Sequence, residues 1–158
     1  MKVMELIPNP RVRLYLESAG SLGADDEMRA VACETSRLVF GGNGPDLTIS
    51  VLYRDGPCWH HYLEVEADTA EGVVCDDGII AIKLPRNSPK NPKSLVHELV
   101  ESSMVLNRMR TKKVGGRSVD EYMEDEEIVQ AYTEEIYPRI CSGLLGSSRD
   151  LNSLHRKR

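Results

Sequence analysis

Ser94-Leu95-Val96-His97-Glu98-Leu99-Val100-Glu101 holds the residues best suited to chemistry in this chain. The run reads H-E-x-x-E within an apolar segment of helical pattern. A helix carrying H-E-x-x-H sets two metal ligands one turn apart, with a general-base glutamate beside the first. Here the last position is a carboxylate. At ~100° per residue, His97 and Glu101 lie ~40° apart, one above the other, while Glu98 is rotated about a third of a turn away. Val96, Leu99, Val100, Ser103 and Leu106 share the opposite arc, the arc that would pack on a sheet.

A helix needs a scaffold to aim such a trio. Asn91-Pro92 reads as an N-cap followed by proline at the first helical position, so the helix should run from there to about Asn107. Ser118-x-x-Glu121 is a capping box that opens a second, acidic helix, expected to end near Tyr137 because Pro138 follows. Tyr122, Val129, Tyr132, Ile136 and Ile140 form its apolar stripe. Asp125 falls within that stripe and Glu121 on its edge. A carboxylate on a core-facing stripe needs a partner, and either a cation or an arginine of the basic stretch 108–117 would serve. The competing view is plain: acids crowding a helix start usually form a solvated first turn.

Before these helices the pattern changes. The first ~40 residues read as helical, with Ala24-Asp25-Asp26-Glu27 as an acidic helix start and Gly41-Gly42-Asn43-Gly44-Pro45 as a stop. Strand-like alternation follows at 47–54 and again at 62–67. Val73-Val74-Cys75 and Ile79 to Leu84 flank Asp76-Asp77-Gly78, a hairpin signal. The tail 146–158 is polar and reads as mobile, leaving 1–145 as one domain.

Composition narrows the function. With 158 residues, 41% hydrophobic and 28% charged, the chain can bury one ordinary core. Net charge is −5 and no basic patch interleaves with aromatics, which argues against nucleic acid as a partner. No apolar run approaches the ~20 residues that span a bilayer, and the N-terminus lacks a signal-peptide core, so no membrane role and a cytoplasmic location are expected. Cys33, Cys58, Cys75 and Cys141 are scattered and read as free thiols. Cys58-Trp59-His60-His61 is a weak metal candidate, because strand alternation would send its two histidines to opposite faces.

In its order of elements and in Leu95-Val96-His97-Glu98-Leu99, the chain resembles the zincin metallopeptidases, above all the compact zincin-like proteins of bacteria and their phages. The resemblance spans roughly residues 25 to 140. It implies an α+β fold: a small antiparallel-rich sheet against an active-site helix carrying His97-Glu98, with further helices at both ends. It implies a metallopeptidase of variant H-E-x-x-E type, with a divalent metal, Zn²⁺ first, and a peptide or protein as substrate. Carried over, His97 and Glu101 become ligands and Glu98 the base that takes a proton from a water polarised by the ion. The third ligand becomes Glu121 or Asp125, whose four-residue spacing matches that of the glutamate zincins. The chain departs from the family in having Glu101 where the motif has His, which makes a harder, more anionic site. Two other readings stay open: a zincin-like scaffold that binds protein without catalysis, and a helix whose His97 and Glu101 form only a surface ion pair. Oligomeric state cannot be read from the sequence.

Overall fold

A computed structural model describes residues 2–5, 12–40, 46–60, 64–67, 69–75, 77–106 and 119–156. It is a mixed α+β structure. Among the described residues there are seven strands: β1 (Lys2–Glu5) and β2 (Val12–Leu16), then, after the first helix, β3 (Leu47–Arg54), β4 (Cys58–His60), β5 (Val65–Ala67), β6 (Glu71–Val74) and β7 (Ile79–Pro85). The helices are α1 (Leu22–Val39), α2 (Asn91–Leu106) and α3 (Val119–Arg156).

The main sheet has the order β1-β2-β3-β7-β6, and β4 and β5 pair as a separate antiparallel ribbon. The expectation of an antiparallel-rich sheet needs correcting. Within the main sheet the outer ladders, β1/β2 and β6/β7, are antiparallel, and the central strands β2, β3 and β7 run parallel. The cause is topological. Parallel neighbours need a crossover, and α1 supplies one between β2 and β3. The excursion through β4, β5 and β6 returns the chain so that β7 joins β3 in the same sense.

The expectation of helix throughout the first ~40 residues is also corrected. Val12, Leu14 and Leu16 are buried while Arg13 is exposed and Tyr15 half-buried, a period of two that makes β2 a strand. Strand 47–54 and the hairpin before α2 are as expected. Gly78 turns that hairpin at φ +85°, and a Cβ there would sit 2.8 Å from the Asp46 carbonyl oxygen. Glycine is therefore required both by conformation and by space.

One sheet face carries the core. Ile49, Val51, Ile80, Ile82 and Leu84 project from it against Met28, Val31 and Ala32 of α1 and Leu95, Leu99 and Val100 of α2. The other face carries Arg13, Thr48, Ser50, Ala81 and Lys83 and is covered less. Asn91 begins α2 but does not cap it as expected. Its Nδ2 donates to the Pro85 carbonyl at 2.8 Å, and its Oδ1 has no partner. The asparagine instead ties the helix start to the end of β7.

α3 is longer than the sequence suggests. It passes through Pro138 and continues to Arg156, over the stretch read as a tail. An interior proline removes a backbone donor and strains the turn before it. Ile136 and Ile140, both buried on the same face on either side of Pro138, hold the helix in line across it. The basic stretch 108–117 and the capping Ser118 lie outside the described residues. Among the described residues, no helix is long and apolar enough to cross a membrane.

Candidate metal centre

α2 leaves β7 and lies on the sheet, so its apolar arc is pinned by the core. α3 packs along its other side in the reverse direction: Lys93 pairs with Glu134, and one turn further along α2 His97 meets Glu126. With α1 also packed against it, α2 is covered by the sheet and by both other helices. This explains why Glu98 and Glu101 are buried, at 6% and 5% exposure.

Three donors converge in this cleft. His97 Nε2 lies 3.7 Å from Glu101 Oε2 and 3.2 Å from Glu126 Oε2, and one donor atom from each of the three residues falls within 4.8 Å of the others. Ligands ~2.0–2.2 Å from a tetrahedral ion sit ~3.3–3.6 Å apart, so small side-chain adjustments would bring all three onto one ion. The donor set fits a divalent cation, and its two carboxylates with one imidazole suit harder ions as well as zinc. His97 and Glu101 do form the i,i+4 pair of the simpler view, but with Glu101 buried it is not a surface pair.

The electrostatics agree with the geometry. Burial of the His97 ring disfavours its charged form, yet the hydrogen bond to Glu126 and the charges of Glu98, Glu126 and Glu101 outweigh it, raising its pKa above 6.5. Without an ion, a protonated His97 would balance part of the carboxylate charge. A divalent cation could take that role.

His97, Glu98 and Glu101 sit together on α2 as the motif indicates, but the partner from α3 is Glu126. Asp125 is half-buried and is not among the three converging donors, and the side chain of Glu121 lies outside the described residues. The shift traces to the buried stripe of α3, which includes Thr133 rather than Tyr132. Thr133 is 1% exposed, with its hydroxyl donating to the Val129 carbonyl at 2.7 Å, whereas Tyr132 is 43% exposed. Viewed down the helix, Thr133 lies ~40° to one side of Val129 and Tyr132 ~60° to the other. Glu126 falls ~60° round on the Thr133 side and Asp125 ~40° round on the Tyr132 side. Size and hydropathy favour tyrosine for a core position. A signal for Glu126 was nevertheless present, since Glu126, Val129, Thr133, Ile136 and Ile140 recur at intervals of three and four.

Of the second sequence candidate, His61 and the side chains of Trp59 and His60 lie outside the described residues. Cys58 Sγ lies 3.5 Å from the Ala67 carbonyl oxygen as a hydrogen-bond donor, within the β4/β5 ribbon. Comparison of the chain with protein-family models, with curated proteins and with solved structures found no match.

Proposed function

We propose that this chain is a divalent-metal-dependent hydrolase of zincin-like type that cleaves peptide bonds, with His97, Glu101 and Glu126 holding the ion and Glu98 acting as general base. The observation that carries the reading is the meeting of the three donors at the α2–α3 cleft, one residue away from a buried carboxylate. The order of elements supports it too: a helix, a run of strands, the His-Glu helix and a further acidic helix follow one another as the resemblance requires.

When bound, a divalent ion supplies positive charge that polarises a carbonyl and makes water more acidic. The residues of the chain do the rest. Glu98 follows His97 directly but is rotated off the line joining His97 and Glu101. It can therefore take a proton from the attacking water without competing for the ion, and then deliver the proton to the departing amine. The burial of Glu98 and Glu101, at 6% and 5% exposure, limits the screening of their charges by bulk water. Glu101 and Glu126 fix the position of the imidazole from two helices.

The test is a comparison of the parent with Glu98→Gln, each loaded separately with Zn²⁺ and with Mn²⁺, on a broad peptide set. The amide keeps the size and loses the basicity, so turnover should fall by ~10²-fold or more while metal stoichiometry is retained. Full activity in Glu98→Gln would exclude this mechanism. A parent that binds metal but cleaves nothing would favour the non-catalytic, protein-binding scaffold. A parent that binds no divalent ion would end the metal reading.

A further inference from the structure

A second polar site lies at the carboxyl ends of two adjacent parallel strands. β3 ends at Arg54 and β7 at Pro85, which pair directly, and the Arg86 amide donates to the Arg54 carbonyl at 3.0 Å. Beyond this pair the two chains part, and a cavity of about 420 Å³ opens between Arg54, Asp55, Gly56 and Pro57 on one wall and Arg86 and Asn87 on the other. Crevices at the carboxyl ends of parallel strands are a recurrent place for small ligands, and the volume lies within the usual range for them.

The Arg86 side chain is held in a manner suited to recognition. Its Nε donates to Asp55 Oδ1 at 2.8 Å. Its guanidinium carbon sits 5.8 Å from the centroid of the Tyr53 ring. Its Nη2 is 3.9 Å from Glu17 Oε1, an ion-pair distance too long for a hydrogen bond. Glu17 is itself anchored, its Oε2 accepting from the Tyr53 amide at 2.6 Å. Among the described residues, no hydrogen bond reaches Arg86 Nη1 or Nη2, and the side chain is one-third exposed. The guanidinium therefore has one edge and one face fixed, and its Nη1/Nη2 edge, with Nη2 at ion-pair distance from Glu17, carries no hydrogen bond among the described residues. The cavity walls are set by backbone geometry, since Gly56 and Asn87 both take positive φ, 81° and 64°.

We propose that this cavity binds a carboxylate group, received end-on by the Nη1 and Nη2 of Arg86. A planar carboxylate matches the two parallel donors of that edge. Arg54, on the opposite wall, adds positive charge while its own guanidinium is tied to the Thr69 carbonyl and lies 3.6 Å from Glu71. Local charge favours a carboxylate over phosphate. Asp55, Glu17 and Glu71 outnumber the two arginines by one charge, so a dianion would meet about twice the Coulomb repulsion that a monoanion does, and the paired hydrogen bonds of Arg86 have less to overcome with a carboxylate. The carboxylate can come from a small acid or from the C-terminus of a peptide. The site is independent of the metal centre.

Titration of the full chain with acetate, with N-acetyl-trialanine and with the C-terminal amide of the same peptide tests the proposal. The readouts are the NMR signals of the Gly56 and Asn87 amides and of the Arg86 Nε–H. Saturable shifts with the free-acid peptide, and binding at least ~10-fold weaker for the amide, are expected. Acetate matching the peptide would assign a small acid, and the peptide exceeding acetate would assign a chain terminus; both support the site. Arg86→Lys keeps the charge and loses the paired donors, so it should weaken binding by ~10-fold or more with the melting temperature little changed. Equal binding of acid and amide, no saturable shift at these three signals, or inorganic phosphate binding more tightly than the peptide acid would each overturn the proposal. The acid–amide comparison uses the unaltered protein and decides the matter even if the lysine variant folds poorly.

Discussion

Glu126→Gln, compared with Asp125→Asn, separates the structure from a simpler reading of the same helix. The two carboxylates are adjacent in sequence, and each variant removes one charge at nearly constant volume. Only Glu126 has an oxygen 3.2 Å from His97 Nε2 and within the converging donor set. Loss of an outer-shell partner of a metal ligand typically costs 10–100-fold in affinity. Replacing a ligand itself should cost at least the upper end, ~100-fold, or ~2.8 kcal/mol at 1.4 kcal/mol per tenfold. Asp125→Asn removes only a neighbouring charge, which solvent and salt screen, so less than ~10-fold is expected. The assay is competition with a chromophoric chelator for Zn²⁺ and for Mn²⁺ at neutral pH. Thermal unfolding with and without metal gives an independent readout, because ligand at 100 times its Kd adds ~2.7 kcal/mol of stability. The parent and Asp125→Asn should show that gain, and Glu126→Gln should lose most of it. A large loss in Asp125→Asn with Glu126→Gln unaffected would show that α3 presents the opposite side of its stripe to α2, and the assignment of the site would fail.

Other expectations follow from the same residues. Glu101→His should tighten Zn²⁺ relative to Mn²⁺, since imidazole is the softer ligand; an unchanged preference in chelator competition would remove Glu101 from the donor set. Because His97 has a raised pKa, its ion pair with Glu126 stabilises the metal-free fold fully below about pH 6.5, and that contribution fades as pH rises through the raised value. Metal binding should strengthen over the same window as the proton leaves, and Glu126→Gln should flatten both profiles, measured by urea melts and metal titration. The buried phenol of Tyr53, shifted upward by burial and by the charges of Asp25 and Glu17, should ionise above the ordinary value of 10.0. A raised acid favours the neutral form, so stability should decline above about pH 10, visible as a late step in tyrosinate absorbance that coincides with unfolding. Leu99→Ala, fully buried between α2 and the sheet, should cost about 2–5 kcal/mol in chemical denaturation.

Elements with a clear period were legible in the sequence, and those decided by tertiary contact were not. The alternation of 47–54, the hairpin around Gly78 and the span of α2 all follow from local pattern. β2 has an equally clean alternation over Val12 to Leu16, but it is short and lies close to the acidic start of α1, so the helical signal overshadowed it. The parallel sense of β2, β3 and β7 cannot be read from any one strand, because it depends on which neighbour each strand joins after a long crossover. Pro138 is a legitimate stop signal locally. It is overridden because Ile136 and Ile140 are both buried on the same face of α3.

The metal centre divides along the same line. His97, Glu98 and Glu101 share one helix, so their relation is fixed by helical geometry and was open to inference from spacing alone. The third donor belongs to a second helix, and its identity depends on the rotation of α3 about its own axis. That rotation turns on whether Thr133 or Tyr132 enters the core, a difference of ~100°. Threonine prevails by satisfying its hydroxyl within its own helix, through the bond to the Val129 carbonyl, so it can be buried without an outside partner. Tyrosine would carry its phenol into the packed interface and need a hydrogen bond there. Left near the surface, Tyr132 turns Asp125 away from His97 and brings Glu126 in. The identity of the third ligand is thus decided by how a hydroxyl seven residues further along α3 is satisfied.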